Sequence, residues 1–267
     1  MRSRDHRLAI AASVSVLGLV ALATVTGRAS ASPRAHGSSR AQITVYAAAS
    51  LTNAFPKIDS SPRYSFAGSN TLATQITLGA PADVFASANL TLPNQLFQKG
   101  VCSKPVVFTR NTLVIVVPKS NPENIQSVYD LAKSGVKLVV AGPGVPVGSY
   151  TLQILKNMNL SAAVTKNIVS QETDVREVLA KVALGEADAG FVYSTDAKTV
   201  PGKVTVLKVP AWAQPKVHYG ICVVSKSGDK TDAQAFIKKV LSKAGQKQML
   251  AYGFLPRVKP KPVTTKK

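Results

Sequence analysis

Ile43-Thr44-Val45-Tyr46-Ala47-Ala48-Ala49-Ser50 reads as a short β-strand that runs into small residues and then a hydroxyl where a helix can start. A helix is expected from there to about Ile58. The same two-part phrase recurs: Tyr64-Ser65-Phe66 leads through Ala67-Gly68-Ser69-Asn70 into a helix marked by Leu72 and Ile76, and Ala82-Asp83-Val84-Phe85-Ala86 is a third strand. Farther on, Lys137-Leu138-Val139-Val140-Ala141 leads through Gly142-Pro143-Gly144-Val145-Pro146-Val147-Gly148 to a helix from Ser149. Asp174 to Leu184 puts Val175, Val178, Leu179 and Val182 on one helical face, and the strand Ala189-Gly190-Phe191-Val192-Tyr193 follows. A last helical stretch covers Asp232 to Tyr252. Strands alternating with helices predict an α/β fold with mostly parallel sheets.

Two nearly uninterrupted β runs stand apart from this rhythm, Thr112 to Val117 ended by Pro118, and Ile221 to Val224. They lie about a hundred residues apart, with a second strand–helix series between them. A chain whose middle forms one lobe while its two ends form the other crosses between lobes twice, so these runs are the expected hinge strands. The expectation is two lobes around a cleft.

With 267 residues, 45% hydrophobic and only 17% charged, the chain can bury a substantial core, which excludes disorder for most of its length. No repeat that would make a propeller or solenoid is visible. The net charge of +20 raises nucleic acid, anionic surfaces and small anions as partners. Part of that charge belongs to the ends: Arg2, Arg4, Arg7 and Arg28 near the start, and Arg257, Lys259, Lys261, Lys266 and Lys267 in the tail. The remainder is scattered without interleaved aromatics, which argues against a nucleic-acid groove.

The first residues follow an export pattern: basic Arg2, Arg4 and Arg7, an apolar run from Leu8 to Thr26, then Ala29-Ser30-Ala31. A signal peptide at 1–31, cut after Ala31, is expected; an uncleaved anchor is the alternative, since the run approaches membrane-spanning length. No Cys lies near the cut to carry a lipid. Residues 32–41 read as a flexible lead and 257–267 as a basic tail beyond the fold. Cys102 and Cys222 are the only cysteines, and an oxidising compartment permits a bridge between them, with two buried thiols as the alternative.

Helix N-termini carry free N–H groups and the positive end of the helix dipole, so four strand-to-helix junctions could bind an anion. They are at Ser50, Ser69, Val147-Gly148-Ser149 and Asp174-Val175. The plainer reading of each Ser is a helix N-cap and of each Val a core residue. Enzyme chemistry finds little here. His218 is the one His in the body, so no Ser-His-Asp or Cys-His set assembles. There is no phosphate-binding Gly-Lys-Ser/Thr loop and no metal-ligand cluster; Asp83 and Asp188 read as turn caps and His218 as an ordinary sheet residue.

Three early stretches, Ala47-Ala48-Ala49-Ser50-Leu51-Thr52-Asn53-Ala54, Ser65 to Leu72 and Gly79 to Phe85, resemble the opening signatures of the periplasmic molybdate-binding proteins of ABC transporters. Asn111 to Val114, Val145 to Tyr150, Glu172 to Arg176 and Gly190 to Ala197 keep that family's order and spacing, and Tyr252-Gly253-Phe254 resembles its closing helix. The ordered set spans about 42–256. The resemblance implies a type II periplasmic-binding-protein fold, with lobe 1 at 42–117 and 225–256, lobe 2 at 118–224, and a ligand cleft between lobes joined by two hinge strands.

It also implies a monomeric, extracytoplasmic receptor that captures molybdate, and tungstate with it, and delivers it to a membrane permease. No nucleic acid, cofactor or catalytic residue is implied, and the metal arrives inside its oxyanion with no protein ligand to it. The family's ligand positions fall on Ser50 and Ser69 (hydroxyl and backbone donors), the backbone N–H of Val147 and Val175, and the Tyr193 phenol. Gly68 and Asn70 depart from the serines common beside Ser69, a change expected to alter loop stiffness; Val147 stands where Ala is frequent. The rivals are a receptor for another tetrahedral oxyanion such as sulfate, an enzyme on the same two-lobed fold, and a secreted interaction protein that uses the basic tail.

Overall fold

The computed structural model describes residues 42–257, so the expected signal peptide at 1–31, the lead at 32–41 and all of the tail after Arg257 lie outside the described residues. Two five-stranded sheets form the framework. The first contains β1 (Thr44–Ala48), β2 (Arg63–Ala67), β3 (Val84–Ser87), β4 (Val106–Asn111) and β10 (Val217–Val223), in the order β2-β1-β3-β10-β4. The second contains β5 (Leu113–Pro118), β6 (Leu138–Ala141), β7 (Ile168–Glu172), β8 (Ala189–Tyr193) and β9 (Val204–Lys208), in the order β7-β6-β8-β5-β9. Each sheet is parallel where strand–helix units build it and antiparallel around β10 or β5.

The helices are α1 (Phe55–Ile58), α2 (Ser69–Thr77), α3 (Thr91–Gln98), α4 (Pro146–Asn157), α5 (Ser161–Thr165), α6 (Val175–Leu184), α7 (Ser194–Ala197), α8 (Lys230–Leu241) and α9 (Lys243–Ala251). Three expected helices change shape. From Ser50 the chain makes a 3-10 turn, Ala49–Leu51, before the four-residue α1, because Pro56 fits only a first helical turn. The stretch Asp232 to Tyr252 is two helices, broken at Ser242, whose hydroxyl caps the second by accepting the Gly245 N–H at 3.1 Å. Tyr252-Gly253-Phe254 lies past the helix end: Gly253 has φ +88°, the left-handed conformation that stops helices, and Phe254 turns into the core.

The two β runs enter the sheets directly from the crossings: Leu113–Pro118 and Val217–Val223 are the antiparallel strands, each next to the edge strand of its own sheet, and they are buried almost throughout, as an apolar run of that length requires. The lobe boundaries shift accordingly: residues through Asn111 and from Val217 onward belong to the first sheet, and Leu113 to Lys208 to the second. The crossings are Thr112 and the segment 209–216. Gln214 ties them together, donating to the Leu113 carbonyl at 2.7 Å and accepting the Leu113 N–H at 3.1 Å. Asp83 and Asp188 do not cap turns. They occupy matching places before β3 and β8, where each accepts a backbone N–H at 2.7 Å, from Thr44 and from Lys137.

Cys102 and Cys222 are joined, with Cα atoms 6.1 Å apart. The bridge lies within the first lobe, among Leu72, Phe85, Leu96 and Val224, and spans neither crossing.

Arg176 in the first turn of α6 holds the lobes together. Its Nε is 2.9 Å from Asp196 Oδ1, a fully buried carboxylate on the same lobe, and its Nη2 donates to Asn53 Oδ1 of the first lobe at 2.8 Å. Burial pushes the Asp196 carboxyl up to about 7, while the guanidinium beside it pulls the other way. Close by, a Cβ on Gly68 would collide with the Thr173 carbonyl oxygen of the opposite lobe. Gly68 is thus a point of close lobe-to-lobe approach, where a serine does not fit in this arrangement.

Two outcomes follow for stability. Replacing both cysteines by Ser should lower unfolding free energy by about 2–4 kcal/mol in denaturant titrations, since the bridge closes a long loop in the unfolded chain. Arg176→Ala leaves Asp196 buried without its partner and should cost about 3–5 kcal/mol. A carboxyl whose folded pKa is raised loses stability as pH climbs from its unfolded value, 3.8, through the folded one, so this loss should be larger at pH 8 than at pH 5.

Candidate functional site

Ser50, Ser69, Val147, Val175 and Tyr193 line one small cavity between the lobes, alongside Ala48, Ala49, Ala67, Gly68, Ala88, Val145, Pro146 and Asp174. All five are buried. The first lobe contributes Ser50 from the turn after β1 and Ser69 from the start of α2. The second contributes Val147 from the first turn of α4, Val175 from the start of α6 and Tyr193 from the end of β8. Alanines make up much of the remaining wall, so backbone and hydroxyl groups reach the space unobstructed.

Neither serine is a helix cap. Gly68 occupies the cap position of α2, which places Ser69 at the first helical residue with its Oγ accepting the Ala88 N–H at 3.1 Å. That bond uses an oxygen lone pair and leaves the hydroxyl proton to donate. Ser50 Oγ is 3.0 Å from Tyr219 Oη.

The start of α6 shows how a helix end is left open. Asp174 caps it by accepting the N–H of Arg176 at 2.7 Å and of Glu177 at 3.2 Å, and the Val175 N–H is not among the groups it satisfies. Burial raises the Asp174 pKa, opposed by those two N–H groups. In α4, Pro146 has no N–H and sets the first-turn geometry, which puts Val147 at the second helical position. Gly148 beside it packs so closely on the carbonyls of Ala141 and Gly142 that a Cβ would collide with both. The first turn of α4 is thereby held against the end of β6.

Tyr193 Oη is buried, and burial drives its pKa well above the ordinary range, with the neighbouring Tyr219 adding to the rise. A buried hydroxyl is costly unless well paired, and this one belongs to a residue that lines the cavity. No Lys, Arg or His lines the space; the Arg176 guanidinium is committed to Asp196, Asn53 and Thr199. The site can therefore offer neutral donors and the positive ends of α2, α4 and α6 to a compact anion. Among the described residues no cluster of His, Cys, Asp and Glu could hold a metal ion. His218 lies in β10, its pKa lowered by burial and by Arg110 and Lys216.

Tyr219, Asn111, Thr195 and Asp196 are also buried beside the site. Asn111, Thr195 and Asp196 fall inside the quoted motifs without a role attached, and Tyr219 was missed, its only signal being a tyrosine in the strand Val217 to Val223.

Comparison with known proteins places these features in context. The family of bacterial extracellular solute-binding proteins matches residues 43–255. The molybdate-binding protein ModA of Mycobacterium bovis is 36% identical over 255 residues, covering 92% of this chain and 95% of that one. ModA of Haemophilus influenzae is 37% identical over 233 residues, 80% of this chain and 90% of its own. Among solved structures, the periplasmic molybdate-binding protein of Azotobacter vinelandii shares the fold, with a TM-score of 0.71 at 21% identity over 82% of this chain and all of that one. The helix ends gathered between two lobes are thus those of a binding protein, and the chain belongs to the bacterial extracellular solute-binding protein family.

Proposed function

We propose that the protein is the extracytoplasmic receptor of a molybdate ABC transporter, holding molybdate or tungstate in the cleft as an intact oxyanion and delivering it to the permease. The observation that carries this reading is the convergence of five donor positions from both lobes on one cavity without a cation. A dianion can leave water there when several neutral donors surround it and helix ends supply partial positive charge. Curated relatives named for molybdate binding support the choice of anion. In this reading Ser50, Ser69 and Tyr193 donate hydroxyls, Val147 and Val175 donate backbone N–H groups, and the receptor acts as an exported monomer with no cofactor, catalytic step or nucleic-acid partner.

Calorimetry with molybdate, tungstate, sulfate and phosphate tests the assignment: the first two should bind tightly and the others not. Tight sulfate binding without molybdate binding would reassign the anion. Molybdate at about 100 times its dissociation constant should add about 2.7 kcal/mol to unfolding free energy, visible as a raised melting temperature.

The donor set is separable by substitution. Ser50→Ala, Ser69→Ala and Tyr193→Phe each remove a hydrogen bond to a charged group and should weaken binding by roughly 10- to 150-fold. Val147→Ala keeps its N–H and should bind like the parent. Val175→Pro removes the donor at the first residue of α6, a position proline tolerates, and should weaken binding with little loss of fold.

A further inference from the structure

Asn111 is the last residue of β4, at the crossing between lobes, and it is buried. Its Oδ1 accepts the Thr112 N–H at 2.9 Å and the Ser194 hydroxyl at 3.1 Å. A backbone N–H can only donate, so this atom is the amide oxygen and the orientation of the amide is fixed. Nδ2, which can only donate, lies 2.9 Å from Thr195 Oγ1 and 3.4 Å from Tyr219 Oη. The Tyr219 ring is held edge-on against Phe108 at 6.0 Å and Phe254 at 5.6 Å, so its hydroxyl has a fixed place. A phenol has one proton. With lone pairs turned to Asn111 and to the neighbouring Tyr193 hydroxyl, that proton points to Ser50 Oγ, 3.0 Å away. Ser50 then accepts, and its own proton is released toward the cavity it lines.

We propose that Asn111 and Tyr219 are positioning residues that set the direction of the Ser50 hydroxyl, fixing it as a donor to the bound oxyanion. Ser69 reaches the same polarity through the Ala88 backbone N–H, which no side-chain change can reverse. At Ser50 the polarity depends on two side chains and can be reversed by one: with Asp at 111, Tyr219 donates to the carboxylate, Ser50 donates to Tyr219, and a lone pair faces the anion.

The consequence for binding rests on the oxyanion reading above; the direction of the relay does not. Calorimetry with sodium molybdate on the full chain should show Tyr219→Phe weakening binding about tenfold when Ser50 is present and less than twofold in a Ser50→Ala background. Asn111→Asp should weaken binding at least tenfold more in the parent than in a Tyr219→Phe background, where only its added charge acts. Equal effects with and without Ser50, or no effect of Tyr219→Phe, would overturn the positioning role.

A ligand-free measurement reads the direction itself. The Tyr219 hydroxyl proton, identified in NMR spectra by its loss in Tyr219→Phe, should show a nuclear Overhauser contact to the Ser50 β protons. A proton directed to the Asn111 or Thr195 side chain would overturn the relay, even if the parent binds none of the four anions. A parent that binds none of them while the contact to Ser50 is present would sink the oxyanion reading and leave the relay intact.

Discussion

A helix cannot satisfy the N–H groups of its own first turn, and the cleft of this protein is organised around that deficit. The helices α2, α4 and α6 bring their first turns to one cavity, each reached from the end of a strand in a parallel part of a sheet. Parallel strands place the following helices' N-termini on the same edge, so the sheets aim the donors before any side chain contributes. The local devices then keep specific groups available. Pro146 sets the first turn of α4, Asp174 satisfies the second and third N–H groups of α6 while leaving the first, and Ala88 takes up the Ser69 lone pair.

The lobe contact obeys a second constraint, that buried charge needs a partner. Asp196 has no exposure and Arg176 is its one ion-pair partner among the described residues, so the arginine cannot serve as a counter-charge for a ligand. Holding the guanidinium there also directs its Nη2 to Asn53 across the lobes. One residue therefore removes a cation from the cleft and ties its walls. Gly68 has a related role: by lacking a side chain it lets the Thr173 carbonyl of the other lobe come close.

Much of the fold was legible because hydrophobic periodicity and small-residue junctions are local signals. Ala189 to Tyr193 and the face of α6 appear as read, and the five candidate donors share one cavity. What was not legible was set by tertiary context. Two long apolar runs look alike whether they span the crossing between lobes or lie within one sheet; only pairing with β8 and β9, or with β3 and β4, decides. The serines looked like caps because a hydroxyl at a helix start usually is one, yet Gly68 takes the cap position of α2 and Ser50 stands in a 3-10 turn. Tyr219, and the role of Asn111 within its motif, were hidden for the same reason: each lies in a strand, and its polar end matters only through partners many residues away.

The first lobe is discontinuous, and this orders its assembly in time. During synthesis β1 to β4 emerge first, but β10, which lies between β3 and β4, follows only after the whole second lobe has been made. Until then the first sheet has a gap between β3 and β4, and Cys102 has no partner thiol. The second lobe, contiguous from Leu113 to Lys208, can form its own strand pairs meanwhile. Closure of the Cys102–Cys222 bond over a separation of 120 residues thus marks a late step, when the last strand enters the gap and the wall carrying Ser50 and Ser69 becomes permanent.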